Sequence, residues 1–408
     1  MRHSHGLTHG HQLRLIEGGE AYFHHLIAAI DQARSQVQLE TYIFDFHGAA
    51  GAVAEALERA ALRGVRVWLV VDGVGTRELP PEWAQRFAEA GVECRIYSPL
   101  GKLGLLIPSR WRRLHRKLAV VDGLQAFCGG INILDDWFDA RHGTLSSPRL
   151  DFAVQAHGAL VQQIQETMTQ LWWRLQAVRY ARQRDFPEAF SSFRTAGVNL
   201  PWTQDRDGER AQPVVRAGLL LRDNLLHRAR IEKAYLRAIA GARHEVVIAN
   251  AYFLPGRRLR RALVMAVRRG VRVRLILQGR YDYFMQYHAV RPVYGALLSA
   301  GVEIHEYTAS FLHAKVAVVD AYNDRPWATV GSSNLDPLSL LLAREANVVV
   351  ADRGFATQLQ QRLEHIMAEQ CVAVSLESVQ QRSWHQRWRD RAAFGLMRLA
   401  LFLSGNRY

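Results

Sequence analysis

Apolar residues in this chain fall into short uninterrupted runs that are separated by longer stretches of helical periodicity. Apolar runs bounded by Gly, Asp or Asn are typical of buried strands, and apolar residues three or four positions apart indicate amphipathic helices. In the first half, the predicted strands are 37–44, 65–71 and 92–97, and the predicted helices are 20–34, 51–63, 81–90 and 157–182. Strands that alternate with helices in this way predict an α/β fold, with helices on both faces of a sheet.

The second half repeats this order of elements after about 200 residues. Segment 246–253 matches the first strand, 259–269 the first crossover helix, 270–277 the second strand and 300–304 the approach to the third. Each match is weak alone, but their common order predicts an internal duplication.

Composition changes mark the boundaries of the two copies. Segment 184–212 is rich in Pro, Ser and charged residues, which is typical of a linker. We therefore expect a first lobe at 1–183, a linker at 184–212, a second lobe at 213–383 and an amphipathic tail at 384–408.

Each half contains a strand-like segment with the pattern H-x-K-x-x-x-x-D, followed by a turn of small residues that ends in Asn. The shared positions are His115, Lys117, Asp122 and Asn132 in the first half and His313, Lys315, Asp320 and Asn334 in the second. Because side chains alternate along a strand, the His and Lys of each copy share one face. A lysine on a buried strand requires a compensating anion, so the pattern predicts an anion-binding site.

This duplicated motif closely resembles the signature of the phospholipase D superfamily, and the resemblance covers most of the chain. It implies a duplicated phospholipase D-like fold: two α-β-α lobes with mixed sheets, related by pseudo-twofold symmetry, with one active site between them. Within the superfamily, the length and the basic, membrane-seeking flanks look most like the short type of bacterial cardiolipin synthase.

The resemblance also implies roles for these residues in displacement at a phosphodiester. One histidine forms a phosphohistidine, and the other protonates the leaving alkoxide and then deprotonates the incoming alcohol. Lys117 and Lys315 hold the non-bridging oxygens, and Asn132 and Asn334 donate hydrogen bonds to them. The residues leave open which histidine is the nucleophile, whereas the resemblance favours His115.

Each catalytic histidine also requires a carboxylate that orients its ring. Acidic residues after each motif have this role in the family, and the candidates are Asp151, which follows His115, and Glu345, which follows His313. An ordinary acid at the end of a strand is the alternative for each. We expect Asp122 and Asp320 to be buried and hydrogen-bonded instead of transferring protons.

The formal net charge is +14 and the sequence pI about 10.1, so the chain favours anionic partners. Charge alone does not distinguish a lipid surface from nucleic acid. The three cysteines are too few and too scattered for a disulfide framework or a zinc site. Nothing near either motif resembles a set of metal ligands, so no cofactor is expected, and the polar, His-rich start is expected to be disordered.

Two segments combine apolar and basic residues and favour a lipid substrate over DNA. Segment 99–113 is an insertion in the first copy, and the tail has a face with Trp384, Trp388 and several leucines beside arginines. Both are expected to contact a membrane surface. The alternatives are a loop packed on the protein and a helix that caps the second lobe.

Together with the resemblance, these observations favour a phosphatidyltransferase similar to cardiolipin synthase, which implies synthesis of cardiolipin from phosphatidylglycerol. We expect it to bind an anionic bilayer peripherally, on the cytoplasmic face of the cell membrane. Nucleic acid is not expected as a partner. The alternative is a nuclease, general phosphodiesterase or phospholipase D with the same two-histidine chemistry, which the net charge of +14 permits.

Overall fold

The computed structural model describes residues 6–101, 108–139, 142–183, 185–195, 215–223, 227–280, 284–336, 343–381, 383–386, 388–390, 392 and 395. Contacts divide the chain into two units. The first consists of Met1–Asp135 and Ala153–Leu219, and the second consists of Asp136–Phe152 and Leu220–Tyr408. The lobes predicted from the sequence assign 136–152 to the first copy, whereas its contacts place it in the second unit, where Leu150 bridges to Leu312.

The predicted alternation of strands and helices is observed in both units. The strands are β1 (Thr8–Glu17), β2 (Gln36–Thr41), β3 (Arg66–Asp72), β4 (Glu93–Tyr97), β5 (Arg113–Leu114), β6 (Lys117–Val121), β7 (Gln125–Gly129), β8 (Phe138–Asp139), β9 (Gly143–Thr144), β10 (Phe152–Gly158), β11 (Val215–Arg222), β12 (Glu245–Asn250), β13 (Arg272–Gln278), β14 (Glu303–Tyr307), β15 (Lys315–Val319), β16 (Trp327–Gly331), β17 (Ala343–Val350) and β18 (Cys371–Ala373). The helices are α1 (Gly19–Asp31), α2 (Gly48–Leu62), α3 (Pro81–Ala90), α4 (Ala159–Arg182), α5 (Phe186–Thr195), α6 (Arg230–Gly241), α7 (Arg257–Arg268), α8 (Phe284–Ser299), α9 (Arg353–Gln370) and α10 (Leu376–Gln380).

In the first unit the strand order is β11-β1-β10-β7-β6-β2-β3-β4. Strands β2, β3 and β4 are parallel, because α2 and α3 cross over between them, and β6 and β7 add antiparallel. Alternate side chains of β3 point to opposite faces of the sheet and pack into two different hydrophobic cores. Leu69 packs among residues of α1, α2 and α3, whereas Trp68 stacks on Trp172 of α4 with ring centroids 4.8 Å apart. The unit is therefore an α-β-α sandwich around a mixed sheet.

The second unit repeats this order as β17-β16-β15-β12-β13-β14, with β18 added at the edge beyond β14. The strands β12, β13 and β14 are parallel, and β15 and β16 are antiparallel to their neighbours. The registers match as well: β2 and β6 pair Val37 with Val121, and β12 and β15 pair Val246 with Val319. The internal duplication is thus visible in backbone pairing.

Two regions depart from the sequence-based expectation. The His-rich start is not disordered from Thr8 onward, because β1 pairs with β11 and places His11 in the core. The His11 ring accepts a hydrogen bond from the Leu160 N–H at the start of α4, 3.1 Å away. Burial lowers the pKa of this histidine. Part of the expected linker is helical as well, since α5 begins at Phe186.

Both proposed membrane segments lie partly outside the described residues. Of the insertion 99–113, the described part ends at Gly101 and resumes at Pro108 in a short 3-10 helix, so the apolar residues 103–107 lie outside it. The tail is described in part up to 395, and its apolar end, 396–403, lies outside. Among the helices of the described ranges, none is long and apolar enough to cross a bilayer.

Candidate active site

The two motif lysines open equivalent central strands, Lys117 in β6 and Lys315 in β15. Both strands are buried throughout, because all their side chains are apolar apart from the lysine. The histidines lie two residues earlier, where each strand begins. Each ammonium group donates a hydrogen bond back to the carbonyl oxygen of its motif histidine, at 2.7 Å from Lys117 to His115.

The motif aspartates end these strands and fix the adjacent turns. Asp122 and Asp320 both have left-handed backbones, with φ of 52° and 51°. Each carboxylate accepts three backbone N–H groups that lead into the neighbouring strand, from residues 34–36 and 243–245 respectively. Burial raises the pKa of Asp122, but the Gln36, Arg34 and Ser35 donors outweigh it and lower the pKa overall. These contacts fix the backbone of the turns; Asp320 is buried as expected, whereas Asp122 is only half-buried.

A further pair of residues, which the sequence did not single out, holds the backbone just before each histidine. Asp72 at the end of β3 accepts the Leu114 N–H at 2.7 Å, and Gln278 at the end of β13 accepts the Leu312 N–H at 3.2 Å. Asp72 is fully buried and also pairs with Arg113 at 3.0 Å. The sequence feature that could have revealed these two residues is a polar side chain at the carboxyl end of each buried strand.

The second motif contains a complete histidine–carboxylate pair. Asp151 Oδ2 lies 2.6 Å from His313 Nδ1. The backbone sets this geometry, because Leu150 receives the His313 N–H at 2.8 Å and donates its own N–H to Phe311 at 3.0 Å. Since the carboxylate holds Nδ1, Nε2 is the nitrogen that the ring presents outward. The structure therefore brings Asp151 to the histidine of the second motif, although it follows the first motif in sequence.

Lys315 is completely buried in the second unit. Burial lowers its pKa to about 8, while Asp151, Glu345 and Asp336 act in the opposite direction. An amine of this kind is poorly solvated and surrounded by carboxylates, so a phosphate oxygen brought to it gains a strong charge-assisted contact.

Of the other two predicted residues of the second unit, Asn334 lies just after β16 and Glu345 lies in β17. Glu345 is fully buried and accepts a hydrogen bond from the Ser332 hydroxyl at 2.5 Å. Asn334 is also buried, and its side-chain oxygen has no hydrogen-bond partner among the described residues. A buried amide of this kind is available to a bound ligand.

The first motif has different surroundings. The ring of Tyr42 packs edge-on against His115, with centroids 5.0 Å apart, and lies 5.5 Å from the Lys117 ammonium group. Asn132 accepts the Ile43 N–H at 3.2 Å, so it also fixes the segment that carries Tyr42. Sequence reasoning did not single out Tyr42, because it resembles any aromatic residue at the end of a strand.

A buried ion pair beside the first motif has no counterpart at the equivalent positions of the second. Arg116 and Glu40 are both buried and lie 2.5 Å apart, and Arg116 donates in addition to the Thr167 carbonyl at 3.3 Å. The matched strand registers place Ala314 and Ala249 at the equivalent positions of the second unit. Buried charges are costly unless both partners are present, so this pair is an added feature of the first copy.

Comparison with known proteins identifies the family. A family model described as cardiolipin synthase, PLD-like domain, matches twice, at residues 26–172 and 235–367. The chain is 37% identical to cardiolipin synthase B of Escherichia coli K12 over 392 residues, covering 95% of this chain and 88% of the relative. It is 30% identical to cardiolipin synthase A of Pseudomonas putida KT2440, covering 90% of this chain and 70% of the relative.

A solved structure agrees with the fold. Phosphatidylserine synthase of Haemophilus influenzae superposes with a TM-score of 0.68 at 11% identity, covering 96% of this chain and 94% of that one. The duplicated order of strands, the two motif strands and these matches agree with the resemblance noted in the sequence. The chain therefore belongs to the cardiolipin synthase family of phospholipase D-like proteins, and it is a phosphatidyltransferase of phospholipid biosynthesis.

Proposed function

We propose that this enzyme transfers the phosphatidyl group of one phosphatidylglycerol to a hydroxyl of a second, forming cardiolipin and releasing glycerol. The observation that carries the proposal is the second motif, where a buried carboxylate holds the His313 ring 2.6 Å away and a buried lysine lies two residues further on. The names of the relatives, cardiolipin synthases A and B, favour this product.

The transfer needs two steps. First, an imidazole nitrogen of His115 attacks phosphorus, the bond to the glycerol oxygen breaks and His313 gives its proton to that oxygen. Second, the neutral His313 takes a proton from the hydroxyl of the second phosphatidylglycerol, whose oxygen attacks phosphorus and breaks the P–N bond. Asp151 stabilises the imidazolium form of His313, which suits a proton donor.

The remaining predicted residues have supporting roles in this scheme. Lys117 and Lys315 hold the non-bridging oxygens, and Asn132 and Asn334 add hydrogen bonds as charge develops. Glu345 is proposed to orient a histidine in the same way as Asp151, because it is buried and acidic. No step requires a metal ion.

We further propose that the enzyme works as a peripheral protein on the cytoplasmic face of an anionic membrane. In the tail, Asp390 is buried and lies 2.6 Å from His288 Nδ1, whereas Trp384 and Trp388 are 66% and 68% exposed. The tail is thus attached to the second unit on one side and exposes two indole rings on the other, which suits a membrane interface.

One incubation tests the reaction. Purified full-length protein is given labelled phosphatidylglycerol and, separately, single-stranded DNA. We expect labelled cardiolipin, free glycerol and, after a rapid quench, acid-labile label on His115. Cleavage of DNA without lipid transfer would establish the nuclease alternative. Hydrolysis to phosphatidic acid alone would show a phospholipase D instead.

A second experiment tests the membrane role of the tail. The variant Trp384→Ala with Trp388→Ala should sediment less with vesicles that contain phosphatidylglycerol, yet retain turnover of a short-chain soluble substrate. The matched control is Phe186→Ala with Phe190→Ala, since these rings of α5 have the same spacing and are 66% exposed each. Equal loss in both variants would contradict a specific role of the tail.

A further inference from the structure

A basic groove outside both motifs lies in the second unit, along the outer face of α7. It has a volume of about 360 Å³ and its lining includes four arginines, Arg257, Arg260, Arg261 and Arg268. Its remaining lining is apolar and comes from Val264 and Met265 of α7 and from Ala296 and Leu297 of α8. Met265 is 41% exposed. The groove thus joins a cationic rim to an apolar floor.

Helix α7 contains five arginines and no acidic residue, with the sequence RRLRRALVMAVR. Other basic residues of the second unit lie beside acids: Arg272 pairs with Glu303, Arg274 with Glu245 and Glu364, and Arg291 with Glu306. Arg257, Arg261 and Arg268 are exposed, and they follow one another at helical spacing on one face.

The equivalent helix of the first unit shows that this charge is not required by the fold. In α2, Arg63 follows the helix and donates to the Ile30 carbonyl, and Arg269 does the same after α7 with the Ile239 carbonyl. When α2 and α7 are aligned on these two equivalent arginines, Glu55 takes the position of Arg261 and Glu58 takes the position of Val264. The first unit therefore has acids where the second has an arginine and an apolar residue.

At the position equivalent to this groove, the first unit has a salt bridge between two helices. Arg86 of α3 pairs with Glu58 of α2 at 2.5 Å. The turns after α3 and α8 are equivalent, because the Val92 and Val302 N–H groups donate to Phe87 and Leu297. Arg86 thus corresponds to Ala296. Replacement of this pair by Val264 and Ala296 removes two long side chains and leaves an apolar floor.

We propose that this groove is a second, non-catalytic site that binds the phosphate headgroup of an anionic phospholipid, with its glycerol and first acyl carbons on the apolar floor. Arginine is well suited to a phosphate because its planar fork donates two parallel hydrogen bonds. The apolar floor favours an amphiphile over nucleic acid, whose backbone offers no chain to cover Met265. The choice of lipid rests on the proposed function.

Three variants of the full-length protein test the site. The first is Arg257→Gln, Arg261→Gln and Arg268→Gln together. The matched control removes three exposed arginines elsewhere, through Arg66→Gln, Arg77→Gln and Arg325→Gln. The third, Val264→Glu with Ala296→Arg, rebuilds the salt bridge of the first unit, so it fills the groove without any change of net charge.

Binding is measured by sedimentation with phosphatidylcholine vesicles with and without phosphatidylglycerol. Each arginine near an anionic surface contributes roughly five-fold, so the groove triple should lose about 100-fold and the control triple less than about five-fold. The charge-neutral variant should also lose most of its binding, because its groove is closed. Turnover of short-chain soluble phosphatidylglycerol should remain unchanged in all three.

Other outcomes would overturn the proposal. Equal losses in both triple variants, or normal binding by the charge-neutral variant, would show diffuse attraction without a site. A loss of affinity for single-stranded DNA, with vesicle binding retained, would make the groove a nucleic-acid surface. These results are independent of the proposed reaction, since vesicle binding requires no turnover and an inactive enzyme with the expected binding pattern would still support the site.

Discussion

The two motif neighbourhoods have the same backbone and different surroundings. In both, an aspartate with left-handed φ caps the neighbouring strand, and a polar residue at a strand end holds the backbone before the histidine. The lysine is buried in both, and beside the second histidine there is a carboxylate at 2.6 Å. Around the first there is the ring of Tyr42 and, beside it, a buried arginine–glutamate pair.

This difference indicates which parts of the duplicated unit were free to diverge. The elements that position the imidazole and the amine are retained, because both copies must hold those groups in the same geometry. The electrostatic environment differs, since Ala249 and Ala314 stand in the second unit where Glu40 and Arg116 stand in the first. Two histidines in different surroundings suit two different proton tasks.

The largest effect is expected from the histidines themselves. His115→Ala and His313→Ala should each lower turnover by roughly 10,000-fold, and the double variant should be little worse than the poorer single variant, because groups that act as one unit are not additive. The measurement is steady-state turnover of labelled phosphatidylglycerol. If His313→Ala kept near-normal turnover, the two motifs would not share one reaction.

The buried ion pair of the first unit should matter for stability. Arg116→Ala leaves Glu40 buried without its partner and should lower the free energy of unfolding by about 3–5 kcal/mol. Glu40→Ala combined with Arg116→Ala should cost less than Arg116→Ala alone, since the second unit has alanine at both places. Denaturant unfolding followed by circular dichroism measures this difference, and a double variant less stable than Arg116→Ala would contradict it.

A substitution at Asp151 tests the role of the carboxylate beside the second histidine. Asp151→Asn keeps the shape but removes the charge that stabilises the His313 imidazolium, so turnover should fall roughly 100- to 1,000-fold with a smaller change in KM. Asp31→Asn, which removes an exposed carboxylate of the same unit charge, is the control. Loss of protein stability without loss of turnover per folded molecule would assign Asp151 to structure only.

The pH dependence should reveal the buried amine. Burial lowers the pKa of Lys315 to about 8, so the ammonium group is present below that pH and is lost above it. We expect kcat/KM to fall as pH rises through about 8, by about tenfold per unit. In Lys315→Arg the group stays charged, so the remaining activity should lack this decline. An unchanged alkaline limb in that variant would assign the decline to another group.

The smallest effect is expected at Tyr42. Tyr42→Ala makes the first motif resemble the second, where Ala251 takes this position. Loss of the contacts with the His115 ring and the Lys117 ammonium group should lower turnover by about tenfold. Tyr42→Phe keeps both ring contacts and should remain within about three-fold of the wild type. A larger loss in Tyr42→Phe would show that the hydroxyl takes part in the reaction.

Local patterns predicted most of the fold because the strands and helices of each copy have strong periodicity. The strands β2, β3 and β4 and the helices α2 and α3 appear within a few residues of their predicted bounds. The motifs predicted that the His and Lys of each copy share one face of their strand, since this depends only on the alternation of side chains along a strand. Asp122 and Asp320 were correctly expected to accept hydrogen bonds.

Features that depend on distant residues were not predictable. Asp151 and His313 are 162 positions apart, and their contact depends on the pairing of Leu150 with Leu312. The strand β1 was not predicted, because its polar residues are mostly exposed. Among its histidines only His11 is buried, where it accepts the Leu160 N–H at the start of α4. The assignments of Asn132, Asn334 and Glu345 to phosphate and histidine stay predictions until variants are measured.

The position of β1 has a consequence for synthesis of the chain. This strand is made well before its partner β11, which pairs Val215 with His11 and Ala217 with Thr8, so the chain must leave the ribosome beyond Val215 before that edge is closed. Until then, the sheet of the first unit has an open edge, which is a template for association with other chains. A fragment ending at 183 lacks β11, so it would retain that open edge at β1 permanently and should aggregate.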